Sequence, residues 1–301
     1  MTAAGVRATN GVPPGAGRLA HDSAFWRKLA RFGAAHGPEW WVRYSPSIIG
    51  VGAALAVPKA RHAVQRNLLR VRGKRGPLRD ALDVARTFQT YAGCIAEVLS
   101  NGSKNERMPD ALLCGEKNID TAIAGGTGII VVTAHTAGWE TVGPLLTREH
   151  GHPVVMVMAS ENDEVARKVH DEAREAVGLR VAHIGDVFGS LALLHELRRG
   201  AVVALQIDRL PPAMRSRPVT FLDAAGAIPE GPLRLAAATG APILPIFSAR
   251  TGYRSYLIDV RPPVFLPRRP SDAQYDASAQ TLADELGRFL RAHPTQWFDF
   301  G

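Results

Sequence analysis

The chain has 301 residues, of which 46% are hydrophobic and 21% are charged, and a formal net charge of +8. This balance is that of a folded globular protein and excludes a disordered or collagen-like chain. The two cysteines, Cys94 and Cys114, stand without a CxxC or Cys/His spacing, so the sequence indicates neither a disulfide framework nor a zinc site.

The positive charge belongs to the first third of the chain. Residues 1–110 hold 17 basic and 7 acidic side chains, whereas the remainder holds 19 and 21. The densest stretch, residues 59–79, has eight basic side chains and no acidic one. Such a stretch is typical of a surface that binds nucleic acid or an anionic membrane, and the charge count does not choose between them. A solvated basic helix face is the third interpretation.

The first residues carry few signals of regular structure. Residues 1–22 are rich in Gly, Ala and Pro and lack the apolar stretch of a secretory signal, so we expect a disordered tail. Residues 47–57, "SIIGVGAALAV", are uncharged but much shorter than the roughly 20 residues of a spanning helix. Aromatic residues precede this segment and the basic stretch follows it, which favours a membrane interface. A buried hairpin of two short helices is the alternative.

Residues 78–100 predict one amphipathic helix. Its apolar positions, in steps of three and four, are Leu78, Leu82, Ala85, Phe88, Ala92, Ile95 and Leu99. This stripe fits either the wall of an apolar groove or ordinary core. We expect a helical appendage over residues 23–110 and an α/β core over residues 111–301.

From residue 120 the pattern changes to short β-branched runs separated by helical segments. The predicted strands lie near Ile129–Thr133, Val154–Met158, Val202–Ile207, Ile243–Ser248 and Tyr256–Val260. The predicted helices cover residues 139–149, 163–177, 189–199, 231–239 and 271–293. This alternation indicates an α/β protein with a largely parallel sheet. In such sheets functional groups collect beyond the carboxyl ends of the strands.

One histidine follows a predicted strand directly. His135 comes after "GIIVVT", and Gly138 permits a tight turn before a helix that begins near Trp139. Glu140 can then fold back toward the imidazole, fix its tautomer and stabilise the imidazolium. The other ring nitrogen can take a proton from a hydroxyl, so the pair is equipped for general-base catalysis.

Other kinds of catalytic site lack their motifs. The sequence has no G-x-S-x-G elbow, no Cys beside a His, and no phosphate-binding G-x-x-x-x-G-K-[ST]. Metal binding through His135 and Glu140 would require a third ligand, and no neighbouring histidine offers one. A catalytic pair without metal or protein nucleophile is therefore the leading interpretation.

Five ordered stretches resemble one protein family. "AHTAGWE" resembles the H-x4-[D/E] motif of the lysophospholipid acyltransferase superfamily, and its Trp points to the bacterial lipid A biosynthesis acyltransferases and related mannoside acyltransferases. "RHAVQRNLLRV" (61–71), "LHELRRGAVVALQIDR" (194–209), "VTFLDAAGAIPEGPLRLAAATGAPILPIF" (219–247) and "HPTQWF" (293–298) resemble further segments of that branch. Together the similarity covers about residues 40–300.

The resemblance implies a fold and a reaction. The fold is a glycerol-3-phosphate-acyltransferase-like central sheet flanked by helices, with a helical N-terminal appendage. His135 would deprotonate a hydroxyl of a lipid or glycolipid acceptor, with Glu140 as its support. The hydroxyl oxygen would attack an acyl thioester on acyl carrier protein or coenzyme A. No covalent acyl-enzyme and no cofactor are required.

The resemblance also suggests substrate-binding residues. Arg174 and Arg209 could bind phosphate, although a plain surface role fits each of them as well. Asp208 ends a strand and could line the cleft or cap a helix. Glu230 stands at a helix start and could act on substrate or stabilise the helix dipole. Asn67, in the basic stretch, is expected to be structural.

The implied substrate class requires contact with a membrane. The basic stretch is therefore interpreted as a surface that binds anionic lipid rather than nucleic acid. We therefore expect a peripheral or monotopic protein on the cytoplasmic face of the bacterial cytoplasmic membrane. The sequence departs from the family by having Ala137 where Gly is usual, and by ending without a basic tail, which weakens lipid A as the acceptor. The rival from another class is a catalytically inactive lipid-binding protein on the same fold.

Overall fold

The structure is a computed structural model that describes residues 32–100, 108–138, 154–159, 179–184, 187–210 and 214–301. Its described helices are α1 (Glu39–Ala56), α2 (Pro58–Arg72), α3 (Pro77–Leu99), α4 (Glu116–Ile123), α5 (Val187–Arg198), α6 (Gly231–Thr239) and α7 (Asp272–Ala292). Its strands are β1 (Asp110–Cys114), β2 (Ile129–Thr133), β3 (Val154–Ala159), β4 (Leu179–Ile184), β5 (Val202–Gln206), β6 (Ser216–Phe221), β7 (Ala224–Pro229), β8 (Ile243–Gly252) and β9 (Ser255–Val260). A 3₁₀ turn at Pro294–Gln296 leads into the C-terminal residues.

Within these residues, seven strands form one sheet in the order β1-β9-β8-β2-β5-β3-β4. Strand β2 pairs in parallel with β8 on one side and β5 on the other, and β5, β3 and β4 continue in parallel. The β8–β9 hairpin reverses the direction for β9 and β1. Strands β6 and β7 form a separate antiparallel hairpin. The predicted α/β class, with a largely parallel central sheet and N-terminal helices, is confirmed.

Both faces of the sheet are buried, which explains why β2 is apolar at consecutive positions. Ile130 and Val132 pack into a core with residues of β8, α5, α6 and α7. Ile129 and Val131 pack on the opposite face, against Ile119 of α4. Burial on both faces fixes the register of β2 and therefore the position of the turn that follows it.

The N-terminal helices pack through small residues. Helix α1 buries Val42, Pro46, Gly50 and Ala54 against α3. A Cβ on Gly50 would lie 2.7 Å from the Cα of Gln89, so the two helix backbones are in close contact. The predicted segment 47–57 is thus the second half of a longer helix that runs through Pro46, and its Ile48 and Ile49 are exposed. The alternative of a buried hairpin of two short helices is wrong.

The apolar stripe predicted for residues 78–100 is not the buried face of α3. Leu78, Leu82 and Ile95 are exposed, and within the stripe Phe88 is buried. Helix α3 instead buries a mixed face, half of whose buried residues are polar: Asp80, Asp83, Thr87 and Glu97. The carboxylates Asp80 and Asp83 form ion pairs with Arg72 of α2, which compensates their burial. The interpretation of the whole stripe as ordinary core is therefore wrong.

No helix within the described ranges combines the length and the apolar character needed to cross a bilayer.

Candidate active site

The turn after β2 carries His135 at the carboxyl edge of the sheet. Its neighbours Ala134, Thr136 and Ala137 are fully buried, whereas the His135 side chain remains 24% exposed. Small residues on either side let the turn sit in the protein while the imidazole reaches the surface. This placement agrees with the prediction from the sequence.

Asp208 holds His135 at two points. Thr133 of β2 is paired with Gln206 of β5, so the residues two positions beyond each strand also face one another. Asp208 Oδ1 lies 2.9 Å from His135 Nδ1, and the backbone N–H of His135 donates to Asp208 Oδ2 at 3.1 Å. The sequence suggests that Asp208 lines the cleft and binds substrate, or caps a helix; its side chain is instead fully buried and bonded to His135, so it does not line the cleft as a substrate-binding group.

The environment of Asp208 keeps it ionised. Burial alone would raise the pKa of this carboxyl, but the hydrogen bonds from His135 and Trp297 outweigh burial and hold the pKa below its usual value. Because an ionised carboxylate only accepts hydrogen bonds, Nδ1 of His135 carries the hydrogen between them. Nε2 is then the nitrogen that can take up a proton in the neutral imidazole.

The C-terminal residues form the other side of the site. The Nε1–H of Trp297 donates to Asp208 Oδ2 at 2.9 Å. The backbone N–H of Phe298 donates to the carbonyl of His135 at 2.7 Å, and that of Ala137 donates to the carbonyl of Gln296 at 3.1 Å. The segment "QWF" therefore pairs with the histidine turn like a short strand and fixes the carboxylate beside it.

Gly138 provides the bend that the sequence predicted. Its φ is +80°, and a Cβ there would lie 2.3 Å from Cδ1 of Tyr256. The backbone of the turn thus packs directly against the Tyr256 ring. Ala137, where the resembling family has Gly, is fully buried in the same cluster, so in this chain the flexible position has moved by one residue.

Arg209 contacts the C-terminal segment. Its Nη2 donates to the carbonyl of Phe298 at 2.7 Å, and its Nε lies 3.4 Å from Asp299 Oδ1. The side chain is still 44% exposed. Arg209 therefore lies beside the His135–Asp208 pair, where it can present a positive charge to an anionic group.

Glu230 occupies a different environment. Its Oε1 accepts hydrogen bonds from Arg217 and Arg234, both at 2.9 Å, and its side chain is 6% exposed. Glu230 is the N-cap residue of α6, as its predicted place at the helix start requires, but its side chain makes no capping hydrogen bond there. The two arginines outweigh the effect of burial and lower the pKa of Glu230. Since the buried carboxylate is bonded to two arginines of the protein itself, Glu230 is not placed to bind substrate.

Two predicted site residues, Glu140 and Arg174, lie outside the described residues, and so do the predicted helices 139–149 and 163–177. Asn67 is structural, as expected: its Nδ2 donates to the carbonyl of Asp299 at 2.6 Å. Among the described residues, no group of three or more His, Cys, Asp or Glu side chains could hold a metal ion.

The site includes residues for which the sequence analysis predicts no role. Gln296 and Trp297 belong to the motif "HPTQWF", but nothing near them in the sequence indicates that they support a histidine about 160 positions earlier. Tyr256 was placed on a strand without a function. The chemistry of the side chain is the signal that could have indicated a role for Trp297. A buried indole N–H needs a hydrogen-bond acceptor, and Trp297 is 5% exposed.

Fold and site together define a class, an α/β enzyme with a histidine–carboxylate pair at the carboxyl edge of a largely parallel sheet. The chain belongs to the bacterial lipid A biosynthesis acyltransferase family, whose model matches residues 32–300. It is thus an acyltransferase of class EC 2.3.1 in the lysophospholipid acyltransferase superfamily, with a place in lipid metabolism.

Individual proteins are similar over most of the chain. A phosphatidylinositol mannoside acyltransferase of Mycobacterium tuberculosis is 27% identical over 98% of this chain and 84% of its own length. A protein of the same name from Mycolicibacterium smegmatis is 25% identical over 83% of this chain and 82% of its own. The crystal structure of the 1-acyl-sn-glycerophosphate (LPA) acyltransferase PlsC from Thermotoga maritima aligns with 88% of this chain and 99% of its own, with a TM-score of 0.40 and 13% identity.

Proposed function

We propose that this protein transfers a fatty acyl group from a thioester, on acyl carrier protein or coenzyme A, to a hydroxyl of a lipid-linked acceptor. The observation that carries the proposal is the imidazole of His135, partly exposed and bonded through Nδ1 to a buried, ionised Asp208. A histidine so oriented accepts a proton at Nε2 and is stabilised as imidazolium by the carboxylate.

The reaction then follows in one displacement at the acyl carbon. His135 takes the proton of the acceptor hydroxyl as its oxygen attacks the thioester carbonyl. The new C–O bond forms, the C–S bond breaks, and the leaving thiolate receives the proton from the imidazolium. The products are an ester and a free thiol, with His135 neutral again. Asp208 stays ionised throughout and stabilises the positive charge on the ring.

We infer that the acceptor is a mannosylated lipid rather than lipid A. The support is that relatives similar over 83–98% of the chain are phosphatidylinositol mannoside acyltransferases. The same chemistry on a phospholipid or another glycoside remains the second candidate. Within this proposal Arg209 binds an anionic group of the donor or acceptor, as does Arg174. Asp208 holds Nδ1 of His135, the place predicted for Glu140, so Glu140 assists the base without bonding to Nε2.

The same reaction requires contact with a membrane surface. Helix α1 exposes large apolar side chains along one side, among them Trp40 at 62% and Ile48 at 76%. The basic helix α2 follows directly, and its Lys59 and Arg66 are exposed. The apolar side chains enter the membrane interface, and the basic side chains attract anionic headgroups. Each Lys or Arg near the surface contributes about 1 kcal/mol to this attraction. We propose that this face holds the protein on the cytoplasmic side of the bacterial membrane.

The test is acyl transfer by the purified protein from acyl-CoA or acyl carrier protein to three acceptors: a phosphatidylinositol mannoside, a lipid A precursor and lysophosphatidic acid. We expect mass spectrometry to show one added acyl group on the mannoside, and a loss of about 100-fold or more in Asp208→Asn. Asp276→Asn, an exposed carboxylate paired with Arg217, is the matched control and should keep its activity. Acylation of the lipid A precursor in preference to the mannoside would overturn the acceptor assignment.

The rival reading is a lipid-binding protein without activity. It predicts no acyl transfer to any of the three acceptors and equal vesicle binding by the wild type and by Asp208→Asn. A folded wild-type protein that transfers nothing from either donor would favour it.

A further inference from the structure

A buried carboxylate on α3 is connected to the histidine turn by two separate routes. Glu97 is 8% exposed and uses both oxygens. Its Oε1 accepts from Arg250 Nη2 at 2.7 Å, from Arg250 Nε at 3.1 Å and from the backbone N–H of Arg254 at 3.0 Å. Its Oε2 accepts from the hydroxyl of Tyr256. One carboxylate thus holds both strands of the β8–β9 hairpin.

The first route passes through Tyr256. Burial raises the pKa of the Tyr256 hydroxyl above its usual value, so it remains a donor to Glu97. The ring of the same side chain lies under Gly138, where a Cβ would come within 2.3 Å of it. Movement of the Tyr256 ring therefore moves the turn that begins at His135.

The second route passes through Arg250. Its backbone N–H donates to Gln296 Oε1, and its carbonyl accepts from Gln296 Nε2, both at 3.1 Å. The carbonyl of Gln296 in turn accepts from the N–H of Ala137. The guanidinium packs closely on Gly93 of helix α3, where a Cβ would lie 3.0 Å from Arg250 Cζ.

We propose that Glu97 is a positioning residue of the acyl transfer reaction: through Tyr256 and Arg250 it sets the height and angle of the turn that carries His135. The proposal rests on the proposed function. Glu97 does not touch His135, so its effect belongs to the chemical step and not to substrate binding. A displacement of about 1 Å in a reacting group can lower a rate about 100-fold.

The chain offers a matched control in Glu285 of α7. Its side chain is buried and paired with Arg261 at 2.6 Å and Arg288 at 2.7 Å, much as Glu97 is paired with Arg250. Glu97→Gln and Glu285→Gln remove the same charge from the same kind of buried ion pair. We expect both variants to lose thermal stability, and Glu97→Gln alone to lower kcat by about 10-fold or more with the KM for the acyl donor unchanged.

Tyr256→Phe tests the first route if Glu97→Gln does not fold, because the ring stays under Gly138 while its bond to Glu97 is lost. We expect its kcat to fall by about 3-fold or more at unchanged KM. Equal kcat in Glu97→Gln and Glu285→Gln would overturn the proposal, and so would a change confined to KM. If Glu97→Gln is unfolded, an unchanged kcat in Tyr256→Phe would overturn the proposal.

A readout independent of activity separates this proposal from the proposed function. The ¹⁵N chemical shifts of the His135 ring, assigned with His135→Gln, should move in Glu97→Gln and stay constant in Glu285→Gln. If the wild type transfers no acyl group, the proposed function fails even though these shifts still report the position of the ring. If the shifts stay constant in both variants, the positioning role fails even in an active enzyme.

Discussion

The imidazole of His135 is held at one ring nitrogen and at its own backbone by a single carboxylate, that of Asp208. Trp297 supplies the third hydrogen bond to that carboxylate and is a neutral donor. A neutral donor fixes Asp208 without cancelling its charge, so the charge remains available to stabilise the imidazolium. At the scale of single residues, the base, its carboxylate and the indole therefore act as one unit.

Trp297→Phe tests this unit. The substitution keeps an aromatic ring but leaves Asp208 Oδ2 with one hydrogen bond fewer in a buried position. Loss of one such bond costs about 1–3 kcal/mol, so we expect thermal unfolding at a lower temperature. We also expect a lower kcat, because the carboxylate can rotate away from His135. Trp41→Phe, at an exposed position, is the control in a soluble assay; equal kcat in both variants would contradict the role of the indole.

At the scale of elements, the turn after β2 depends on a glycine pressed against a strand residue. Gly138→Ala combines a positive φ with a Cβ placed 2.3 Å from the Tyr256 ring. Since the contact is with a buried aromatic ring, either the turn or β9 must shift. We expect a less stable protein with at least about a 10-fold loss of kcat, measured by calorimetry and acyl transfer. Gly52→Ala, with no atom within 4 Å, should keep kcat and, as a Gly→Ala change inside a helix, raise stability by about 1 kcal/mol; a fully active Gly138→Ala would contradict the geometry.

Helix α1 carries the prediction on membrane contact. Ile48→Asp replaces an apolar side chain, 76% exposed, at the centre of the proposed membrane face. Burying an isoleucine is worth about 1.5–3 kcal/mol, so we expect binding to anionic vesicles to weaken by about 10-fold or more. Sedimentation with vesicles measures it. Phe265→Asp, at an exposed position outside α1, is the control, and equal weakening by the two changes would exclude α1 as the specific contact.

The elements also show which sequence signals were sufficient. Strand β2 was predicted with its observed bounds, because a run of five β-branched residues between Gly and a turn has the length of a strand and is too short for a helix. Helix α3 was found as an element, but its apolar stripe indicated the wrong face, since its buried carboxylates are paired with arginines from elsewhere in the chain. Strands β6 and β7 were missed because Pro218 and Gly226 stand inside them, where such residues argue against a strand.

The site was predictable in part. His135 followed from its place after a buried strand, and Asp208 from its place after another. Their pairing required the strand order: once β2 and β5 are neighbours and Thr133 faces Gln206, the two side chains meet. The contributions of Trp297 and Tyr256 depend on contacts between residues 89 or more positions apart, for which one sequence offers no local signal.

At the scale of the whole molecule, buried carboxylates determine how the protein responds to acid. The pKa values of Asp208 and Glu230 are both lowered below the usual 3.8 and 4.5, despite burial, by their hydrogen-bonding partners. A lowered pKa in the folded state stabilises the protein above the unfolded-state pKa, and this contribution disappears as the pH falls through the folded-state pKa.

We therefore expect the unfolding temperature to fall steeply as the pH is lowered from about 5 to 3. Glu230→Gln should be less stable than the wild type at pH 7 and should show a shallower decline, because one of the carboxyl groups with a lowered pKa is gone. Calorimetry of the wild type and Glu230→Gln between pH 7 and pH 3 measures the stability at pH 7 and the decline in acid. Parallel curves for the two proteins would show that Glu230 does not contribute to the acid response.

The most direct test of the account is the single-turnover rate of acyl transfer in His135→Ala, with the acceptor and donor that the wild-type protein uses. Loss of a general base lowers a rate by about 10²–10⁴-fold, and we expect a loss in that range with vesicle binding close to that of the wild type. The unfolding temperature should fall, as in Trp297→Phe, because buried Asp208 loses its bond from Nδ1. A rate within a few-fold of the wild type would contradict the account, since the proton of the acceptor hydroxyl would then have to leave by another group.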